Sequence, residues 1–194
     1  MLTNLARSWG AHLVQPIARF LARLGLTPNA VTVLGFLLST AVAAVLATGR
    51  LQLAGLLLIL TLGFDAVDGT LARLQNATSR FGAFLDSTLD RWTEVFLYGA
   101  LIWHFQGRGQ DTDTLLAVAA LTTSLMVSYT RARAEGVGIQ CKEGVFTRFE
   151  RLLMLIIGLL CGLTPWALGI IALLAGITAV QRIFVTWRAD HMAA

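Results

Sequence analysis

The sequence predicts an all-α integral membrane protein, a bundle of six transmembrane helices preceded by an N-terminal amphipathic interfacial helix, and three observations carry that reading. Hydrophobic residues make up 56% of the 194-residue chain and charged residues only 13%, whereas a soluble domain of this size carries about 25% charge; mean hydropathy is +0.71. The apolar residues are gathered into runs, most of them close to the roughly 20 residues that cross a bilayer. The basic residues fall in short segments between those runs and form no continuous stripe, so the net charge of +4 speaks for membrane topology and against nucleic acid as a partner. The length suits one domain over residues 1–194, with the interfacial helix in 1–27 and the bundle in 28–187. Cys141 and Cys161 have no C-x-x-C or metal spacing and read as isolated thiols. The N-terminus lacks the basic-then-apolar order of a cleaved signal, so Met1 onward reads as mature protein.

In chain order, Leu2, Leu5, Trp9, Leu13, Ile17, Phe20 and Leu24 recur at three or four residues, with Arg7, Arg19 and Arg23 off that line. This is the pattern of a helix lying on the membrane surface, kinked at Pro16. Thr27 can cap and Pro28 can open the next helix, a first span over about 30–48. A turn at 48–52 leads to a second span over about 53–74, and a polar loop at 75–80 to a third over about 81–105. The polar segment 106–113 precedes a fourth span, 114–133. A basic, glycine-containing segment at 134–147 precedes a fifth, 148–160, and a turn at 161–165 a sixth, 166–185. All Lys and Arg except Arg50 and Arg108 fall on one side of this layout, which the positive-inside rule puts in the cytoplasm. Both termini are therefore expected there, in a multi-pass protein of the plasma membrane. Trp103, Trp166 and Trp187 fall near the interfaces, as an aromatic belt does.

Inside this apolar frame stand four carboxylates. Asp65 and Asp68 occupy the last turns of the second span, and Asp86 and Asp90 the opening turns of the third, so the topology brings both pairs to one membrane depth on one side. Each unpaired carboxylate there costs several kcal/mol, and four together need a cation. Steps of three and four keep Asp65 with Asp68, and Gly82 with Asp86 and Asp90, on single helix faces. Gly69 and Ala72 flank the first pair with almost no side chain, leaving room for something bulky, and Arg73 reaches over this strip as a fixed cation. Hard oxygen ligands without clustered His or Cys favour Mg2+ or Mn2+ over zinc. Carboxylates and Arg around such ions are the parts of a phosphoryl-transfer site.

The pattern D-x2-D-G-x2-A-R-x8-G-x3-D-x3-D, carried by Asp65, Asp68, Gly69, Ala72, Arg73, Gly82, Asp86 and Asp90, resembles the signature of the CDP-alcohol phosphotransferases. The resemblance implies transfer from a CDP-linked alcohol with CMP as leaving group, the donor being CDP-diacylglycerol with its tails in the bilayer. It implies Asp65, Asp68 and Asp86 as metal ligands, Asp90 as the base that deprotonates the acceptor hydroxyl, as a further ligand, or as both, and two ions in the site. Gly69, Arg73, Ser79 and Gly82 are the expected CDP-lipid contacts. The family also tends to form homodimers, and the apolar surfaces of spans three and four would permit one.

The acceptor is read from a second basic cluster: Arg131, Arg133, Lys142, Arg148, Arg151 and Arg182. Such charge near a membrane serves topology and anionic headgroups or, alternatively, forms a pocket for a phosphate on the acceptor. The stretches GLTPNAVTVLG, VSYTRARAEGVG, RFERL and VQRI resemble the bacterial phosphatidylinositol-phosphate synthases. That likeness implies inositol phosphate as the acceptor, bound by Arg131, Arg148 and Arg182, with Ser128, Arg133 and Arg151 as further candidates. Phosphatidylglycerophosphate synthases, which use glycerol 3-phosphate, share the chemistry and remain the alternative. A non-enzymatic transporter would also keep intramembrane carboxylates, but nearer midplane and with no need of Arg73 or the basic cluster. An aspartate-rich prenyltransferase would carry two separated Asp-rich motifs in a larger bundle.

Overall fold

A computed structural model describes residues 15–75, 77–141 and 144–193, without the side chains of Asp65, Ala66 and Ala193. Among the described residues the regular structure is entirely helical: α1 (15–23), then α2 (Pro28–Ala47), α3 (Leu51–Leu74), α4 (Arg80–Gln106), α5 (Asp111–Gly136), α6 (Arg148–Cys161) and α7 (Thr164–Ala193). The helix starts follow local chemistry. Thr27 caps α2 by accepting from the Ala30 N–H at 3.3 Å, with Pro28 at the first position where its missing donor costs nothing. Ser79 caps α4, accepting from the Gly82 N–H at 2.9 Å. At α6 the Thr147 N–H donates to the Glu150 carboxylate at 2.9 Å, the reciprocal contact of a capping box.

The helices alternate in direction, so the N-terminal ends of α2, α4 and α6 meet the C-terminal ends of α3, α5 and α7 at one end of the bundle. α5 packs along α7, α2 along α3 and α4, α4 along α5, and α6 between α3 and α7. Leu46, Leu58, Leu97, Leu101, Leu155, Leu159, Leu168 and Ile171 form the centre of the core. At the α6–α7 corner the backbones approach so closely that a Cβ on Gly158 would stand 2.3 Å from that of Ala167. A smaller cluster of Ala18, Val31, Val67 and Leu71, with Leu21, Leu26 and Phe64 packed on it, fastens α1 to α2 and α3.

Leu37, Leu56, Leu60, Leu173 and Ile177 point outward from the long helices, as a lipid-facing surface requires. Four helices, α2, α3, α5 and α7, are long and apolar enough to cross a membrane. α4 has 27 residues, about 40 Å at 1.5 Å each, but carries Arg80, Asp86, Asp90, Arg91 and Glu94 in its first half. α6 has 14 residues, about 21 Å against a hydrocarbon core of about 30 Å. The anticipated apolar line along the first helix is followed by Ile17, Phe20 and Leu24, which face away from the bundle while Ala18 is buried; Leu2, Leu5, Arg7, Trp9 and Leu13 lie outside the described residues.

Candidate active site

Two cavities open at the end of the bundle where these helix ends meet. The first, of about 250 Å³, is floored by the α2 N-terminus (Pro28, Asn29, Thr32), walled on one side by Asp68, Gly69, Ala72 and Arg73 of α3, and on the other by Ser79, Gly82, Ala83 and Asp86 around the start of α4. The Asp68 carboxylate is 9% exposed and accepts a hydrogen bond from the Thr32 hydroxyl at 2.9 Å, which a carboxylate at this depth needs. Among the described side chains a Cβ on Gly69 would meet only the Arg73 Nη1, 4.0 Å away, so the bare strip read from the sequence is open space beside Asp68. Arg73 stands over it, donating to the Thr70 hydroxyl at 3.1 Å. Gly82 is needed for a different reason: a Cβ there would crowd the Ser79 hydroxyl at 3.0 Å and Asn29 Oδ1 at 3.1 Å.

The second cavity, of about 540 Å³, lies on the other side of the α4 N-terminal turns. It is lined by Ala83, Ser87, Asp90 and Arg91 of α4, Ser128, Arg131 and Glu135 of α5, Thr147, Arg148 and Arg151 at the start of α6, and Arg182 of α7. Five guanidinium groups face two carboxylates across it, an excess that favours an anion. Arg148 Nη2 is 2.8 Å from Asp90 Oδ1, and Arg91 approaches the other oxygen at 3.6 Å. Arg131 pairs with Glu135 at 2.8 Å. The buried Arg182 donates to the Val127 carbonyl, and its guanidinium lies against Gly144, where a Cβ would come within 2.9 Å of Nη2.

Of the expected CDP-lipid residues, Gly69, Arg73, Ser79 and Gly82 all line the first cavity. The structure likewise gathers Arg131, Arg148, Arg182 and Ser128 around the second. It does not bring Arg133 there: that residue is exposed and lines neither cavity. Arg151 reaches the wall but is 1% exposed and directed to Glu94. Asp68 and Asp86 share the first cavity and Asp90 faces the second; among the described residues no three metal-ligating side chains close on one point. The Asp65 side chain and Lys142 lie outside the described residues. The residues that escaped sequence reasoning include Asn29, Thr32, Arg91, Glu94, Glu135 and Gly144. Glu94 had a signal, since it continues the four-residue step of Asp86 and Asp90 on one face of α4; Asn29 and Thr32 at the start of α2 and Gly144 in the loop before α6 are tied to the Asp pattern by no spacing.

A sequence profile of the CDP-alcohol phosphatidyltransferases matches residues 25–186, a span that includes both cavities. The chain belongs to the CDP-alcohol phosphatidyltransferase family. It is 34% identical over 209 residues to a phosphatidylinositol phosphate synthase of Mycobacterium tuberculosis, covering 99% of this chain and 95% of that one. It is 37% identical over 185 residues to an archaetidylinositol phosphate synthase of Methanothermobacter thermautotrophicus, with 91% and 90% covered. A crystal structure of the M. tuberculosis phosphatidylinositol phosphate synthase with CDP-DAG bound superposes with a TM-score of 0.84 at 33% identity, over 91% of this chain and 94% of the other. A second, in complex with manganese and citrate, superposes with a TM-score of 0.83 at 32% identity, over 90% and 88%. As a CDP-alcohol phosphatidyltransferase with four helices able to cross a bilayer, the chain is a multi-pass membrane enzyme.

Proposed function

We propose that the enzyme transfers the phosphatidyl group of CDP-diacylglycerol to a hydroxyl of inositol phosphate and releases CMP. The observation that carries this reading is that the two cavities adjoin at Ala83, which lines both, with a carboxylate of α4 on each side. A donor pyrophosphate in the first cavity and an acceptor phosphate in the second would then meet across one helix turn. The similar synthases, one of them solved with CDP-DAG, support the same pair of substrates.

In this scheme the donor's pyrophosphate lies along the open strip at Gly69, with Arg73 beside it as a fixed positive charge. Arg131, Arg148 and Arg182 hold the phosphate of the acceptor, and so orient its hydroxyl toward Asp90. The hydroxyl oxygen attacks the phosphorus that carries the diacylglycerol, its proton passes to Asp90, and the bond from that phosphorus to the oxygen of CMP breaks. Arg148 has a part on both sides of this step, since the guanidinium that pairs with Asp90 is also within the acceptor cavity. The donor set suits a divalent cation: hard oxygens of Asp68 and Asp86 on one cavity, one of them buried and oriented by Thr32. Asp65, Asp68, Asp86 and Asp90 would hold Mg2+ or Mn2+, two ions in our reading, and bound there the metal supplies charge neutralisation at the reacting phosphates and the leaving CMP.

The proposed setting is a six-span bundle, α2 to α7, with α1 in the interface. Both cavities and both termini face the cytoplasm of the plasma membrane, because the basic residues of the helix ends cluster at the cavity end. We further propose a homodimer formed through the outward apolar faces of α4 and α5, where Trp92, Phe96, Leu115 and Val118 are exposed; chemical crosslinking in native membranes tests it.

Three alanines test the two-cavity scheme. Ala77 lines only the first cavity, Ala132 only the second, and Ala83 both. Ala77→Leu should raise the KM for CDP-diacylglycerol alone, Ala132→Leu that for inositol phosphate alone, and Ala83→Leu both, each by about tenfold for roughly 1.4 kcal/mol of lost binding. Ala83→Leu without effect on either KM, or crossed effects of the other two, would refute the arrangement.

A further inference from the structure

α4 and α6 face each other across the acceptor cavity and are joined by two ion pairs set one above the other. The upper pair is Asp90 with Arg148 at 2.8 Å. The lower is Glu94 with Arg151 at 2.6 Å, one turn further along each helix. Their surroundings differ. Both groups of the upper pair line the cavity, and the reaction needs each of them for a substrate, so that pair must be able to part. The lower pair is enclosed, with side chains 9% and 1% exposed. Arg151 directs Nε (3.2 Å) and Nη2 (2.6 Å) to the same Glu94 oxygen, Oε1, and Nη1 to the Phe146 carbonyl at 3.5 Å. Each of its three nitrogens thereby has an acceptor within the protein. Among the described residues Glu94 Oε2 is buried without a hydrogen-bond partner, beside a void of about 20 Å³ that Glu94 shares with both Arg148 and Arg151.

We propose that Glu94 is a positioning residue for the acceptor subsite: it fixes Arg151 as a strut between α4 and α6, and the strut sets the place from which Arg148 reaches the acceptor phosphate. The proposal rests on reading the second cavity as the acceptor site and adds to it a residue that touches no substrate. A buried pair of this kind contributes little net stability against an apolar pair of similar volume, while removal of one partner leaves an uncompensated charge. A merely structural pair would regain stability and phosphate affinity together when both partners are replaced, whereas a positioning pair regains stability alone.

The test titrates inositol phosphate, glycerol 3-phosphate and inorganic phosphate into the full-length protein in lipid nanodiscs by calorimetry, with melting temperature and the KM for CDP-diacylglycerol measured in parallel. The variants are Glu94→Gln, Glu94→Asp, Arg148→Ala, Glu94→Gln with Arg148→Ala, and Glu94→Met with Arg151→Met. Glu94→Gln should weaken the phosphate compound that the wild type binds by about tenfold and leave the CDP-diacylglycerol KM within about twofold, while Glu94→Asp recovers part of the loss. On the Arg148→Ala background the Glu94→Gln loss should shrink to about twofold or less, because two residues acting through one contact are not additive. The double methionine variant should regain the melting temperature of the wild type without regaining phosphate affinity. Unchanged binding by Glu94→Gln, tighter binding through an unmasked Arg151, or full additivity with Arg148→Ala would each overturn the strut, as would a double methionine variant that binds like wild type. If the wild type prefers glycerol 3-phosphate, the acceptor assignment falls, and loss of that ligand in Glu94→Gln still supports the strut. A wild type that binds none of the three overturns both.

Discussion

Arg148 holds Asp90 at 2.8 Å and so couples two residues to which the family resemblance gives different jobs, one in chemistry and one in acceptor binding. The three candidate phosphate-binding arginines differ in what each already does. Arg182 is 4% exposed and holds the Val127 carbonyl, whereas the Arg131 side chain is 51% exposed and paired with Glu135 in near-solvent, where an ion pair is worth about 0–1 kcal/mol. Replacement by Ala should therefore raise the acceptor KM in the order Arg131, then Arg148 and Arg182, with the latter two costing about 1.5–3 kcal/mol for each charge-assisted hydrogen bond lost. Steady-state kinetics in detergent micelles checks the order; equal effects at all three, or a shift in the CDP-diacylglycerol KM alone, would contradict the assigned roles. The membership of this cluster was largely legible in the sequence, because Arg131, Arg148 and Arg182 stand near the ends of apolar runs that the topology brings together. Their partners were not. No rule of spacing links Asp90 to Arg148 or Glu94 to Arg151 across more than fifty residues, and Gly144 meets Arg182 only because a loop folds over α7.

At the scale of the helices, apolar runs and the turns between them located α2 to α7 to within a few residues, apart from the C-terminal end of α7, for elementary reasons. Thr27 and Pro28 open α2, Ser79 opens α4 and Thr147 opens α6, and each is a local signal. The lengths needed more than local signals. α7 runs through the basic C-terminal segment to Ala193, past the point where apolar residues end, because a helix whose last turns are polar can continue into solvent. α6 stops at Cys161, after 14 residues, and turns straight into α7. The corner between them depends on Gly158. Gly158→Ala would put a methyl group 2.3 Å from Ala167 Cβ, which no rotamer change relieves, so overpacking of about 1–3 kcal/mol is expected. A fall in melting temperature of several degrees with the acceptor KM little changed is the predicted outcome. A melting temperature equal to wild type would show that α6 and α7 are less tightly joined than the packing implies.

The whole molecule sets five helix ends around the start of α4, so that a lipid-borne donor and a water-borne acceptor can reach opposite sides of one helix. That convergence was legible from the alternation of the spans and from the placement of both Asp pairs at adjoining ends. The division into two cavities at Ala83 was not, since it depends on how far α5 and α6 stand from α4. The arrangement asks for an acceptor that carries its own anion, because the arginines that line the second cavity outnumber its carboxylates and the excess positive charge favours one. The most direct test is CMP release from CDP-diacylglycerol by the purified wild-type protein, measured separately with inositol phosphate, free inositol, glycerol 3-phosphate and serine. Efficient release with inositol phosphate, and little with free inositol or serine, is the predicted result. Efficient use of free inositol or serine would contradict an acceptor-phosphate pocket, and preference for glycerol 3-phosphate would contradict inositol phosphate as its occupant.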